Sequence, residues 1–419
     1  MIKSDNRNAT AASDARLENR KLRLAILGAG GIARKMAETV NRMEEVELYA
    51  VASRTEEKAR QFADTYHASR WYGSYEEMVA DDGIDLVYVA TPHSHHKEHT
   101  MLCLNHNRAV LCEKAFAVNT KEAEAIIRLA KEKNILLAEA MWVRYMPMSF
   151  TLKEIIDSGV IGRITGLTAN LGYSLMQVER LIRPELAGGA LLDLAPYTLN
   201  FATWVLGDNV SEIHTTMTPH ETGVDKTEFI NLAYPDGAIA GLFTTMESAT
   251  DRRGVIYGTK GYIEVDNINN YETFRIYEND RRLVQTINCP TQISGYEYEV
   301  LACKRALEKG LTECPEMPHE HTLYIMQLFD KIQKNWELFL LAILFLFDIL
   351  YHDLLLIIDM LMHNCFCLLY ISEQYRLRDL IMLTEQLAMI SGIPHIFHTV
   401  SVHLFSVALG KTHKSWIVA

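Results

Sequence analysis

Through its first third the chain alternates short, mostly apolar runs with stretches that mix apolar and charged residues. Leu22–Leu27, Val46–Ala52, Leu86–Ala90, Ala109–Cys112 and Ile135–Ala138 are the apolar runs. Each reads as a strand buried on both faces, and the stretches between them, such as Gly31 to about Met43, read as helices. This alternation, from Leu22 to about Glu139, predicts a doubly wound α/β unit around a parallel sheet. Ligands of such sheets bind beyond the carboxyl ends of the strands. Thr91-Pro92, Glu113-Lys114 and Glu139-Ala140, the residues that end three strands, are therefore expected to share one crevice.

After Arg144 the rhythm changes. A helix at about Ser149–Asp157, a strand from Ile164 and a helix over Ala190–Leu206 lead into short strands from Ser211 to about Val284. Turn signals at Pro235-Asp236-Gly237 and Gly258-Thr259-Lys260-Gly261 predict antiparallel pairing. The expected second domain is α+β with a large, mostly antiparallel open sheet, one face under helices and the other against a twin subunit. The division that follows is a disordered extension over 1–20, the parallel-sheet domain over 21–140, the α+β domain over 141–335 and an atypical hydrophobic C-terminal extension over 336–419. In that extension Leu338–Phe347 is wholly apolar, which is short of the roughly 20 residues that span a membrane. Asp348, His352, Asp359 and His363 fall on one side of a helix of period 3.6. An extra packing element, a membrane-associated hairpin and a non-native read-through product are its readings, the last favoured because the domain before it looks complete.

Composition narrows the partners. The 419 residues carry 53 acidic and 41 basic side chains, a net charge of −12. With no basic run in the chain, a nucleic-acid partner is not expected. Seven scattered cysteines form no disulfide framework, and Met1–Arg20 lacks the apolar core of a secretory signal. Both point to a reducing, cytoplasmic setting.

The first strand runs straight into Gly28-Ala29-Gly30-Gly31-Ile32-Ala33 and then a helix. A glycine turn placed so brings backbone N–H groups and a helix N-terminus to a diphosphate, marking Gly28, Gly30, Gly31 and Ile32 as dinucleotide-binding positions of a Rossmann domain. Gly28 permits the turn, Gly30 clears the phosphates, and Ala33 lets helix and strand pack closely. At the end of the second strand Ser53-Arg54-Thr55 stands where an NAD enzyme usually carries Asp or Glu. The Ser53 hydroxyl, the Arg54 guanidinium and Lys58 one helical turn on suit a 2′-phosphate, so NADP is the expected cofactor, with NAD the alternative.

Lys114 stands at the lip of the crevice, where an ammonium could hydrogen-bond a substrate hydroxyl and stabilise the alkoxide that forms as hydride leaves. Asp193 and Tyr197 lie four residues apart on the predicted Ala190–Leu206 helix, so carboxylate and phenol share a face. The Lys114 ammonium is expected to lower the Tyr197 pKa from about 10. The twin glycines Gly188-Gly189 would let the backbone approach a ligand or the nucleotide-binding domain. A core tyrosine bonded to Asp193 is the competing reading. The run from His93 to His99 looks like a metal cluster, but no carboxylate or cysteine completes a set. No metal is expected. Thr91, Pro92, His93 and His96 read instead as a loop beneath the nicotinamide ribose. His363 with Cys365 and Cys367 is a weaker metal candidate still.

These motifs together resemble the Gfo/Idh/MocA oxidoreductases over about Lys21–Gln333. The carriers are the Gly28 turn, Ser53-Arg54, Thr91-Pro92 with His96, Cys112-Glu113-Lys114, Glu139-Ala140-Met141-Trp142-Val143-Arg144, the Gly188–Tyr197 segment and Gly258-Thr259-Lys260-Gly261. Trp142-Val143-Arg144 and Tyr197 look closest to the dimeric dihydrodiol dehydrogenase and NADP-dependent xylose dehydrogenase branch. The resemblance implies that Lys114 is the catalytic lysine, that Asp193 lies beside the substrate, and that Glu113, Trp142 and Arg144 line or anchor the cofactor and substrate site. It also implies metal-free hydride transfer between the carbinol of a sugar or cyclic diol and nicotinamide, with Tyr197 as proton carrier. Ala115 stands where the family has proline, and Tyr197 where many members have histidine. A non-catalytic NADP-binding sensor and an NAD(P)-assisted glycosidase remain the rival functions on the same fold.

Overall fold

The computed structural model describes residues 20–336. The expectations for the N-terminal extension and for the C-terminal stretch, His363, Cys365 and Cys367 included, fall outside the described residues.

Six strands form a parallel sheet: β1 (Leu22–Leu27), β2 (Val46–Ala52), β3 (Arg70–Tyr72), β4 (Leu86–Val89), β5 (Ala109–Glu113) and β6 (Leu137–Ala140). Their order is β3-β2-β1-β4-β5-β6, so the winding reverses between β1 and β4, where a crevice opens at the carboxyl ends. Helices α1 (Gly31–Val40), α2 (Glu56–Tyr66), α3 (Tyr75–Val79), α4 (His96–Asn105) and α5 (Thr120–Lys133) form the connections. The last strand starts two residues later than its apolar pattern suggests. Asn134 closes α5 in a left-handed conformation, and the Ile135 N–H still bonds the Ala130 carbonyl at 3.0 Å.

The second sheet contains β7 (Ile164–Gly172), β8 (Glu212–Pro219), β9 (Asp225–Ala233), β10 (Ile239–Thr245), β11 (Gly254–Gly258), β12 (Gly261–Val265), β13 (Thr273–Glu278) and β14 (Leu283–Asn288). These eight strands are ordered β14-β13-β12-β11-β7-β10-β9-β8, and only β7 and β10 pair in parallel. Around them lie α6 (Pro147–Asp157), α7 (Ala190–Asp193), α8 (Ala195–Leu206), α9 (Glu297–Glu308) and a helix over residues 319–336. The single helix expected over Ala190–Leu206 is two, broken at Leu194. Pro196 has no N–H for the Leu192 carbonyl and its ring would collide with that turn, so the helix must restart.

Strand alternation sorts this sheet into two faces. Leu167, Ile230, Leu232, Ala240, Leu242, Ile256 and Ile263 are buried under the helices, with the Phe201 ring so close to Gly254 that a Cβ there would sit 2.6 Å from it. The opposite face presents Phe229, Ile239 and Tyr257 at 44%, 57% and 42% exposure. Among the described residues no helix is long and apolar enough to cross a membrane.

Candidate active site

A cleft of about 1210 Å³ lies at the carboxyl ends of the parallel strands, between the glycine turn and the second sheet's rim. Its floor holds Glu113, Lys114, Asp193 and Tyr197, and its glycine-turn side is formed by Gly30, Gly31 and Ile32.

Gly28 has φ +103°, and a Cβ on it would stand 3.0 Å from the Ala90 carbonyl oxygen, so only glycine brings the end of β1 this close to the end of β4. The first turn of α1 has no acidic residue, and Gly30 supplies no side-chain cap. Its leading N–H groups therefore face the cleft without an acceptor, a donor set that fits a diphosphate. Ser53, Arg54 and Lys58 lie outside the cleft lining, beyond the end of β2. Ser53 is buried with its N–H on the Tyr72 carbonyl at 3.2 Å, while Arg54 and Lys58 are exposed. Among the described residues Arg54 makes no ion pair.

Lys114 follows β5 directly; the Lys114–Ala115 peptide bond is cis. Its Nζ donates to the Asp193 carbonyl at 2.6 Å and reaches Asp193 Oδ1 at 3.4 Å. The same Oδ1 accepts from Arg180 Nη2 at 3.1 Å. Burial pushes the Asp193 carboxyl up, but Lys114 and Arg180 outweigh it and hold the group well below the usual carboxylate range. His93 Nε2 comes within 3.8 Å of Oδ1, yet this is no ion pair. Burial lowers the His93 pKa to about 3, and its Nδ1 donates to the Ala187 carbonyl at 3.0 Å.

Tyr197 differs from its sequence expectation in two respects. Its hydroxyl oxygen accepts from Trp142 Nε1 at 2.9 Å rather than bonding Asp193, because the break at Leu194 separates the two side chains. Nor is its pKa depressed overall. The ammonium sits over the face of the ring, 5.1 Å from its centroid, and burial raises the phenol well above 10, with Tyr296, Glu113 and Asp193 adding to the effect. Trp142 in turn stacks on Tyr296 with centroids 4.2 Å apart, forming an aromatic wall.

Other candidates shift from contact to support. Arg144, expected beside cofactor and substrate, is buried behind that wall. Its Nη1 lies 2.8 Å from His321 Nε2 and its guanidinium stacks 4.0 Å from the Trp204 ring centroid. His96 is fully buried, its ring nitrogens 2.8 Å from the carbonyls of Thr91 and Ala115, so it ties the β4 and β5 loops together beneath the cleft. Thr91, Pro92 and His93 line the cleft itself. Glu113 accepts from the Tyr88 hydroxyl and, at 3.2 Å, from the Lys114 N–H. Glu139-Ala140 does not join the crevice. The Glu139 carboxylate turns away to accept from Thr322 Oγ1 at 2.7 Å. Gly188 and Gly189 allow close backbone packing within the second domain, while the adjoining Ala187 carbonyl meets His93 of the parallel-sheet domain. Cβ atoms on them would lie 2.3 Å from the Leu181 carbonyl oxygen and from Asp225 Oδ1, so they dock the segment carrying Arg180 and let Asp225 cap α7 through the Leu191 N–H at 2.6 Å. Among the described residues no group of three or more His, Cys, Asp or Glu side chains could hold a metal. His95 and His99 pack ring against ring at 5.5 Å.

Several lining residues carried no periodic signal: Arg180, Tyr296, Arg252 and the asparagines Asn267, Asn269 and Asn270. The dense Asn267–Asn270 turn is the one local clue. Arg252 Nη1 donates to the Tyr173 hydroxyl at 3.4 Å, and the buried Asn267 Oδ1 has no partner. Two bonds join the cleft's sides directly: the Thr39 and Ser294 hydroxyls at 2.8 Å, and Arg42 Nη1 to the Ile293 carbonyl at 3.1 Å.

A doubly wound sheet with a capless glycine turn over a lysine–carboxylate–tyrosine floor defines a dinucleotide-linked oxidoreductase. Residues 22–140 match the oxidoreductase family with an NAD-binding Rossmann fold, and residues 150–264 match the GFO/IDH/MocA C-terminal domain. The chain is 30% identical to the trans-1,2-dihydrobenzene-1,2-diol dehydrogenase of Mus musculus over 326 residues, which are 75% of this chain and 96% of that one. It is 31% identical to the Homo sapiens enzyme of that name over 297 residues, 69% and 89% of the two chains. The chain belongs to the Gfo/Idh/MocA oxidoreductase family. Among solved structures, a 3-ketoreductase from Actinomadura kijaniata crystallised with NADP and TDP-benzene superposes with TM-score 0.70 at 23% identity, over 75% of this chain and 98% of that one. An aldose-aldose oxidoreductase from Caulobacter crescentus superposes with TM-score 0.69 at 22% identity, over 75% and 97%.

Proposed function

We propose that this protein transfers a hydride between a secondary hydroxyl of a sugar or cyclic diol and NADP. Residues 21–140 serve as the nucleotide half and 141–335 as the substrate half. The observation that carries the reading is the Lys114 Nζ, fixed by Asp193 at the cleft floor and lying over the Tyr197 ring, 5.1 Å from its centroid. The nicotinamide, when bound, supplies the hydride acceptor or donor.

The remaining chemistry falls to the chain. The α1 N-terminus with Gly30, Gly31 and Ile32 holds the diphosphate, Ser53, Arg54 and Lys58 the 2′-phosphate, and Thr91, Pro92 and His93 support the ribose side. Lys114 hydrogen-bonds the reacting oxygen and stabilises negative charge on it, with Asp193 keeping the ammonium in place. Tyr197 carries the proton between that oxygen and solvent. The amides of Asn267, Asn269 and Asn270, the Arg252 guanidinium and the Trp142–Tyr296 wall suit a polyhydroxylated ring with one apolar face. The exposed Phe229 and Ile239 face supports a homodimer built through the open sheet, and the free thiols of Cys103, Cys112, Cys289, Cys303 and Cys314 suit a cytoplasmic setting.

The test is NADP reduction by the purified protein across xylose, glucose, inositol and dihydrodiols. NADP binding without turnover on any of them would reject the enzymatic reading in favour of a sensor. Release of the aglycone from an aryl glycoside added to the panel, without net NADPH, would favour a glycosidase.

A further inference from the structure

Arg180 belongs to no motif, yet it stands where the two halves of the site meet. The loop after β7 carries it, and Leu181 beside it is buried and anchors the backbone: the Gly189 N–H bonds the Leu181 carbonyl at 2.9 Å. From there its Nη2 reaches Asp193 Oδ1 at 3.1 Å. Arg180 also lines a second hollow, with Gly31, Ile32 and Arg34 at the N-terminus of α1. Its side chain is 42% exposed, so the guanidinium edge not used on Asp193 is open to a ligand there. A guanidinium presents five donors in a rigid fork and so can bridge two anions.

The charge arrangement gives that bridge a consequence. Asp193 Oδ1 is shared between Arg180 at 3.1 Å and Lys114 at 3.4 Å, while Lys114 keeps its shorter bond to the Asp193 carbonyl. A phosphate at the α1 N-terminus takes the free edge of the Arg180 fork while the other edge stays on Oδ1, so the bound phosphate fixes the guanidinium and, through it, Asp193 and the Lys114 ammonium. We infer that Arg180 is a positioning residue that couples occupancy of the diphosphate site to the placement of Asp193 and Lys114. The inference rests on the reading of the α1 turn as the diphosphate site.

The experiment compares Arg180→Ala and Arg180→Lys with the parent protein. NADPH binding is measured by fluorescence in the absence of substrate, and kcat and substrate KM are measured separately. Loss of one charge-assisted bond should weaken NADPH binding about tenfold in Arg180→Ala. Its kcat should fall by a similar factor with little change in substrate KM. Added guanidinium ion should restore part of kcat to Arg180→Ala and none to Arg180→Lys, a response that a loop-packing role would not produce. Binding and kcat both within about twofold of the parent, or a kcat loss with unchanged binding and no guanidinium response, would overturn the coupling. If the parent binds NADPH but turns over no polyol, the dehydrogenase reading fails while the binding comparison still decides the role of Arg180.

Discussion

Trp142 Nε1 donates to the Tyr197 hydroxyl oxygen at 2.9 Å, which leaves the phenolic proton free to point into the cleft. With its pKa driven well above 10 by burial, Tyr197 stays a phenol across the working pH range and is set to give a proton to a carbonyl oxygen. Carbonyl reduction should therefore stay level up to about pH 10, while alcohol oxidation keeps climbing as pH rises. Tyr197→Phe should lower kcat by about 10²–10⁴-fold and abolish that climb, and Trp142→Phe should lower it less. Rate–pH profiles in both directions check this.

Lys114→Met removes the ammonium proposed to meet the reacting oxygen. A fall in kcat of about 10²–10³-fold is expected, the scale of losing one preorganised donor. Equilibrium NADP binding should be broadly unchanged, since Lys114 bonds Asp193 and not the α1 turn. Near-normal turnover in the variant would remove Lys114 from the mechanism.

Arg54 is exposed beyond β2 and makes no ion pair among the described residues, so its fork is available to a 2′-phosphate. Arg54→Ala should lower kcat/KM for NADP by about ten- to a hundredfold and leave that for NAD nearly unchanged. Equal losses with both cofactors would mean that Arg54 supports the fold rather than reads the phosphate.

Glu139 makes stability pH-dependent. Burial raises its pKa to about 7, against an unfolded value near 4.3. Between those values the folded protein holds a proton that the unfolded chain has lost, so stability falls as pH rises through this window and levels off above it. Glu139→Gln keeps an acceptor for Thr322 Oγ1 and removes the titration. It should stabilise by on the order of 3 kcal/mol at pH 8 and change little at pH 4, read from denaturant unfolding at the two pH values.

What was legible in the chain was local. The β1–glycine turn–α1 unit and the place of Lys114 at the end of β5 declare themselves within a few residues, because strand ends and turns impose short-range spacing. Tyr197 was legible as a position, but the direction of its pKa shift was not. Its pKa depends on Trp142, Tyr296 and Glu113, each brought in from elsewhere by the tertiary fold. Arg144 shows the same limit from the other side. Next to Trp142 in sequence, it turns the opposite way because His321 and Trp204 offer a buried niche for its guanidinium. The helix break at Leu194 was signalled by Pro196, yet the i,i+4 spacing of Asp193 and Tyr197 argued for continuity. Arg180 lies in the Tyr173–Pro184 loop expected to carry specificity, but nothing singled it out within that loop, since an exposed loop arginine is ordinary until its partner carboxylate is located.

The Thr39–Ser294 and Arg42–Ile293 bonds tie the far end of α1 to the segment ahead of α9 across the cleft, so a dinucleotide entering between these two sides would have to break both. A small polyol can exchange past such a strap, but a molecule as long as NADPH must wait for it to part. Coenzyme departure rather than hydride movement would then set the ceiling on steady-state speed, and a pre-steady-state burst would outrun the cycles that follow it.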